Sequence, residues 1–350
     1  MRWWFAAFAV VATTLPGGVR GETALPAKPP LDKSTAVDVS AGAALLLPQP
    51  SGMVRFPAGV FTMGSDADLF WAKAQCQAEP LGFLCEPEEC RSGKADKKSA
   101  CISSVFLHET PAREVTLRAF DLDRTEVTVA AYRRCVSAGG CTPPTFVAGD
   151  ARFDRDDLPV THVSWNDAVR YCSFRGARLP TEAEWERAAR GLSGRRYPWG
   201  KLPNPKIANH GSLDYGSLFL KTLDEWISGI PDPTDGAMWI APVGSYPEGT
   251  TPEGLHDLAG NAAEWVADWW EDVYGLSAMK KNDGELFIDP KSPLLPRKVT
   301  DPLGPPTGVF RVIRGGSYRQ PMVSLRGAAR ARLPPSAHEA DLGFRCARDV

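Results

Sequence analysis

Two groups of oxygen-bearing side chains in the second half of the chain have the composition of hard-cation sites. Asp257 and Glu264 stand seven residues apart around a Gly-Asn turn, and a second group combines residues 209–210 with residues 235–237. Calcium takes six to eight oxygen ligands, many of them backbone carbonyls, which irregular loops present more readily than helices do. We therefore expect calcium at these positions; the alternative is that the carboxylates only cap turns.

The chain contains eight cysteines, an even number that is typical of an exported protein with paired thiols. Scattered, reduced cysteines in the core are the alternative. Cys135 and Cys141 flank a turn with two glycines, which can bring their sulfur atoms within bonding distance at the end of a helix. We predict a disulfide between them.

Four further cysteines fall together in an insertion at about residues 70–105. Two local disulfides are expected there, and the sequence leaves their three possible pairings open. A zinc site is the competing interpretation, but the spacings lack the Cys-x2-Cys pairs that usually hold zinc. These cysteines are Cys76, Cys85, Cys90 and Cys101.

The N-terminus has the three parts of a secretory signal: a charged start, an apolar run from Trp3 to Leu15, and small residues up to Gly21. We assign residues 1–21 to a signal peptide and residues 22–50 to a flexible leader. A membrane anchor is the alternative, but the run is too short to span a bilayer comfortably. The protein is therefore expected in the periplasm or outside the cell, without a stable membrane span after cleavage.

The formal net charge of -2 over 350 residues gives no electrostatic reason to bind a polyanion. Nucleic acid is therefore not expected as a partner.

Local signals predict the elements that must position these groups. Residues 115–119 alternate apolar and polar side chains, as a half-buried strand does, and lead into residues 121–123. Thr128 can then cap a helix that carries Tyr132 and Cys135.

Two more helix starts carry a stronger signal. Ser164 and Thr181 each stand three residues ahead of a carboxylate, the reciprocal capping-box pattern. The helix after Thr181 meets Gly191, a residue suited to a left-handed C-terminal cap. From about Leu192 onward, glycines and prolines predict long structured loops.

Motifs spread over residues 52 to 348 resemble the formylglycine-generating enzyme (sulfatase-modifying factor) family, in the family's order. They include Val54–Ser65, Arg178–Glu186 (RLPTEAEWE), Gly254–Trp265 and Arg314–Tyr318 (RGGSY), followed by Leu342–Cys346. The resemblance implies an α+β, C-type-lectin-like fold over residues 51–350, with two core helices, small twisted sheets and extensive structured loops.

The resemblance also implies site residues. It assigns side-chain calcium ligands to Asp257, Glu264, Asn209 and Asp235, and it implies a disulfide that ties a helix to the last strand. Backbone oxygens would complete the two calcium sites. The carbonyl ligands are Gly260 and Ala262 at the first site and His210 and Ala237 at the second, and the disulfide joins Cys172 and Cys346.

By the same resemblance, a peptide lies in a cleft along the C-terminal segment. Aromatic rings offer apolar contact and arginine can fork onto carboxylates, so such a cleft suits an extended peptide or an acidic ligand. The alternative places Trp265 and Tyr318 in the core. The expected lining residues are Trp265, Ser317, Tyr318, Arg319, Ser324 and Arg330.

The family's enzymes bind Cu(I) through two cysteines of this segment, because this soft ion prefers thiolates. The resemblance places those cysteines at Arg319 and Ser324, and downstream of Cys172 the only cysteine is Cys346. Copper is therefore not expected. Iron, which some relatives hold with three histidines, is not expected either, because the five histidines here are widely scattered.

The sequence thus favours an exported, calcium-stabilised domain that binds a peptide or protein ligand and performs no catalysis. Two alternatives stay open. One is an oxidoreductase that uses non-copper chemistry in the same cleft. The other is a structural component of a cell-envelope assembly.

Overall fold

The computed structural model describes residues 52–68, 106, 108–213, 229–272, 274 and 298–350. All of them belong to one compact unit, Gln49–Val350. The predicted signal peptide, the leader and the cysteines Cys76, Cys85, Cys90 and Cys101 lie outside the described residues. Within the described ranges, no helix is long and apolar enough to cross a membrane.

Three α-helices and twelve strands are assigned in the described residues. The helices are α1 (Val129–Ser137), α2 (Trp165–Phe174) and α3 (Glu182–Arg190). The strands are β1 (Met53–Phe56), β2 (Gly59–Met63), β3 (Arg113–Leu117), β4 (Phe120–Asp123), β5 (Gly211–Leu213), β6 (Gly229–Pro231), β7 (Ala263–Trp269), β8 (Lys298–Thr300), β9 (Arg311–Arg314), β10 (Ala331–Leu333), β11 (Leu342–Phe344) and β12 (Ala347–Asp349).

The strands form small sheets with the orders β1-β4-β12, β10-β9-β7-β11, β2-β3-β8 and β5-β6. Most neighbours are antiparallel, whereas β11 on β7 and β8 on β3 are parallel. Long irregular segments connect them. This arrangement confirms the predicted α+β class.

Each helix begins where the sequence predicts. The Thr128 hydroxyl accepts a hydrogen bond from the Ala131 N–H, and both predicted capping boxes are formed, at Ser164 and at Thr181. Gly191 ends α3 at a φ of 62°, but its ψ of -169° is extended. The predicted left-handed helical cap is therefore wrong in ψ, although the position still needs glycine because of its positive φ.

The core lies on both sides of β7. One cluster packs Tyr132, Tyr171, Trp265 and Phe344 around the first two helices, and another surrounds Trp185 of α3. All nine residues of α3 are buried, including three glutamates and two arginines. Their charges must therefore find partners inside the protein.

Both predicted disulfides among the described cysteines are present. Cys135–Cys141 closes a separation of 6 residues after α1, and Cys172–Cys346 spans 174 residues to join α2 to the segment before β12.

The two disulfides provide a matched comparison. Since cross-link stabilisation rises with loop length, replacing Cys172 and Cys346 by alanine is expected to lower the free energy of unfolding by about 5 kcal/mol. The same change at Cys135 and Cys141 is expected to lower it by about 2 kcal/mol. Urea unfolding of the two double variants measures both losses, and equal losses would contradict the entropic account.

Candidate functional site

Residues 209–210 and 235–237, the second expected calcium group, are in contact in the structure. Asp235 ends a short 3-10 helix, Pro233–Asp235. Its Oδ2 accepts the N–H of His210 at 2.7 Å and its Oδ1 accepts the N–H of Ala237 at 2.8 Å. Burial raises the pKa of this carboxyl group. The carboxylate thus ties two irregular segments together.

Asn209 carries the clearest sign of a missing partner. The side chain belongs to a residue that is 1% exposed, and its Nδ2 donates to the Trp239 carbonyl and to Asn261 Oδ1, both at 3.0 Å. Its Oδ1 is buried without a hydrogen-bond partner in the described part of the chain. A buried amide oxygen in this state is costly unless something binds it, and a cation would.

The loop from Asp257 to Glu264 is arranged differently from the expectation. Both Glu264 oxygens accept hydrogen bonds from the Arg345 guanidinium, at 2.7–2.9 Å, and Oε2 also accepts the Trp185 Nε1–H at 2.8 Å. Asp257 adopts a φ of 58°, and its Oδ2 accepts the Gly244 N–H at 2.6 Å. Glu264 is thus already neutralised by an internal ion pair.

Glu126 is a further buried carboxylate of this region that the sequence analysis missed. Its Oε1 accepts Asn261 Nδ2–H at 3.0 Å, and its Oε2 has no partner among the described residues. Burial raises the pKa of Glu126 well above its usual value, and the neighbouring charge of Asp257 adds to this shift. Burial also raises the pKa of Asp257.

The buried carboxylates of this region outnumber the positive charge that faces them. When ionised, Glu126, Asp257 and Glu264 carry three negative charges, of which Arg345 offsets one. Because two negative charges buried in a low-dielectric interior are unfavourable, the group must either hold protons or hold a cation. In the first group, the carboxylate oxygens that remain available to a cation belong to Asp257 and Glu126. Both Glu264 oxygens are bound by Arg345.

The described residues contain no group of three or more His, Cys, Asp or Glu side chains that could hold a metal ion. The expected calcium sites do not need one, because each combines two side chains with backbone carbonyls. The second group contains the partnerless Asn209 oxygen and the Asp235 carboxylate, whose two oxygens also accept backbone N–H groups.

The expected cleft along the C-terminal segment is largely wrong. Trp265 is 0% exposed, and its Nε1–H donates to the Val163 carbonyl at 3.1 Å inside the core. Ser317 is equally buried and donates to Asp341 at 2.6 Å. Tyr318 is 2% exposed.

Arg330 is also removed from the expected cleft, because its guanidinium forks onto the buried Glu182 carboxylate at 2.6 and 2.9 Å. Arg319 and Ser324 are half-buried and remain near the surface.

The structure offers another concavity beside Tyr318. A pocket of about 540 Å³ lies between residues 151–155 and the irregular segment 235–246, which we call the pocket wall. Met238 and Trp239 of the wall are 48% and 39% exposed. The Arg152 guanidinium stacks 5.3 Å from the centre of the Trp239 ring, and this ring lies 6.2 Å from that of Tyr318. The only sequence signal was Met238-Trp239, two large apolar residues in a loop.

The segment from Arg314 to Phe344 carries no cysteine of its own. No cysteine lies between Cys172 and Cys346, and these two are joined to each other. The part of the chain that the structure describes contains no free cysteine.

Comparison with known proteins identifies relatives of this chain. The model of the sulfatase-modifying factor enzyme 1-like domain matches residues 43–350. The chain is 31% identical to the formylglycine-generating enzyme of Bos taurus over 346 residues, which cover 86% of this chain and 75% of the relative. Over 126 residues it is 42% identical to the inactive C-alpha-formylglycine-generating enzyme 2 of Mus musculus, covering 35% of this chain and 36% of that one.

Among solved structures, PvdO of Pseudomonas aeruginosa superposes with a TM-score of 0.53 and 25% identity. The match covers 85% of this chain and 94% of PvdO.

Replacement of Arg345 tests whether the buried carboxylates depend on it. Because Arg345→Met leaves Glu264 uncompensated, it is expected to lower the free energy of unfolding by about 3–5 kcal/mol. Arg348→Met is the control, since that side chain is 57% exposed and its partner Asp121 keeps a second arginine, Arg55, so the loss should be below about 1 kcal/mol. Similar losses in urea unfolding of the two variants would rule out the proposed dependence.

Proposed function

The chain belongs to the sulfatase-modifying factor enzyme 1-like family, with the C-type-lectin-like fold, and we propose that it is an exported, non-catalytic member. In this proposal the domain is stabilised by calcium and binds a peptide or protein ligand in the pocket beside Tyr318.

The observation that carries the proposal is the lack of thiols where the family's copper chemistry needs them. Cu(I) prefers thiolate ligands, and the segment from Arg314 to Phe344 contains none. The residues present therefore do not fit copper. A mouse relative that is named as inactive supports the idea that members of this family can lose the reaction.

The exposed chemistry of the pocket supports a peptide ligand. Trp239 and Met238 offer adaptable apolar contact, and Arg152 and Arg155 lie on the opposite side. Both half-exposed arginines form ion pairs with near neighbours, Arg152 with Asp150 and Arg155 with Asp157. Such surface pairs contribute little free energy, so a ligand carboxylate can replace the aspartate. An extended acidic segment with one apolar side chain satisfies these requirements.

Calcium is supported by the partnerless Asn209 oxygen and by the excess charge at Glu126 and Asp257. Bound there, calcium would supply the counter-charge and the missing partner, held by Asn209 and Asp235 in one group and by Asp257 in the other. Export is supported by the predicted signal and by the disulfides, since disulfides persist in oxidising compartments.

The lack of oxidase activity is tested directly. A cysteine-containing peptide incubated with purified protein, Cu(I) and oxygen is expected to yield no more hydrazide-reactive aldehyde than a protein-free sample, because no thiolate pair holds the metal. The bovine formylglycine-generating enzyme serves as the positive control. Copper-dependent aldehyde above the blank would refute the non-catalytic assignment.

Calcium removal should lower the melting temperature. An ion that binds only the folded protein at about 100 times its Kd stabilises it by about 2.7 kcal/mol, so excess EDTA is expected to lower the Tm by several degrees. Differential scanning calorimetry measures the shift. Excess calcium should restore the Tm and magnesium should not. An unchanged Tm in EDTA would contradict calcium binding at both sites.

A further inference from the structure

The backbone of the pocket wall is held by the residues of the candidate calcium sites. Asp235 binds the Ala237 N–H at 2.8 Å, and Asn209 donates to the Trp239 carbonyl at 3.0 Å. Three bonds fix the amides farther along. Asn261 accepts the Ala241 N–H at 2.9 Å and donates to its carbonyl at 3.2 Å, and Asp257 accepts the Gly244 N–H at 2.6 Å.

These bonds matter because the wall has little regular structure of its own. Apart from the 3-10 turn that ends at Asp235, residues 235–246 belong to no helix or strand. Backbone groups in such a segment need side-chain partners when they are buried. In the wall these partners are the side chains of Asn209, Asp235, Asp257 and Asn261. A cation bound to the oxygens of the candidate sites would hold these side chains in place.

Asn261 links the two candidate sites. It lies between Gly260 and Ala262, the expected carbonyl ligands of the first site, and its Oδ1 accepts Nδ2–H of Asn209 from the second. Its backbone N–H also donates to the Asn209 carbonyl at 2.8 Å. A side chain added at Gly260 would come within 2.0 Å of that carbonyl, so the two loops are in close contact. A cation in either site therefore restrains the other and the wall.

We infer that calcium binding and ligand binding in the pocket are linked: the cation orders the wall on which the ligand rests. This inference depends on the proposed function for both the cation and the pocket. Thermodynamic linkage requires reciprocity, so a pocket ligand raises calcium affinity by the same factor by which calcium raises ligand affinity.

The test uses calcium alone as the probe and hydrogen–deuterium exchange of the full chain as the readout. Opening of the wall breaks the cation sites, so calcium at about 100 times its Kd is expected to slow exchange in residues 235–246 by up to about 100-fold. A peptic fragment covering α2 serves as the internal control and should change much less. Calcium binding itself is measured by isothermal titration calorimetry.

A matched pair of variants locates the effect. Asp235→Asn removes the charge at the second site and should abolish most of the calcium-dependent protection. Asp232→Asn lies on the same turn, where its carboxylate caps Thr234, and should keep the protection. The wild-type comparison decides the question by itself if Asp235→Asn does not fold.

The possible results distinguish a failure of the linkage from a failure of calcium binding. Slowed exchange of the wall supports linkage. Calorimetric calcium binding with unchanged exchange in the wall overturns the linkage and leaves the proposed function standing. No calcium binding overturns both the linkage and the calcium part of the proposed function.

Discussion

Buried arginine–carboxylate pairs hold the last part of the chain against the rest of the fold. Arg314 meets Glu186 at 2.6 Å, and Arg326 meets Glu109 at 2.6 Å. Arg330 and Arg345 are buried in the same way against carboxylates of α3 and β7. Because an unpaired buried charge costs several kcal/mol, these pairs strongly disfavour any arrangement in which the segments separate.

The same guanidinium groups also satisfy irregular backbone. Arg314 donates to the carbonyls of Gly327, Ala328 and Ala329 at 2.6–3.0 Å, and Arg345 donates to those of Asp123, Arg124 and His256. A fold built from short strands leaves many buried carbonyls outside sheet ladders. Arginine, with five donors in a rigid fork, can serve a carboxylate and several carbonyls at once.

This use of arginine limits where function can lie. Of the side chains that the sequence suggested for a cleft, Arg330 is engaged in a buried ion pair and Trp265 and Ser317 are bonded inside the core, whereas Arg319 and Ser324 stay near the surface. The side chains that line the pocket instead belong to residues 235–246 and include the two arginines of the 151–155 loop. The buried arginines of the internal pairs are therefore distinct from the exposed side chains that line the pocket.

Local chemistry explains which features the sequence revealed. Helix caps at Thr128, Ser164 and Thr181 depend on residues three positions apart, so their signal is contained in a short stretch. The Cys135–Cys141 disulfide is also local, because its two cysteines are only 6 residues apart. The Cys172–Cys346 disulfide spans 174 residues and was accessible only through the family resemblance.

The buried ion pairs could not be predicted in this way. Their partners stand 81 to 217 residues apart, and nothing near Arg330 in sequence distinguishes a buried arginine from a solvent-exposed one. Glu126 was missed for the same reason, since its environment is created by a loop more than 130 residues away.

Asn261 is a small polar residue that forms hydrogen bonds both to the pocket wall and to the buried carboxylate Glu126. Its φ of 60° lies in the left-handed region, which asparagine tolerates better than most residues. In that conformation its amide reaches Glu126, Asn209 and both polar groups of Ala241. Each of these bonds lies in a buried setting, where a lost hydrogen bond is not replaced by water. The pocket wall and the carboxylate group therefore have a common support in one side chain, because Asn261 bonds to both.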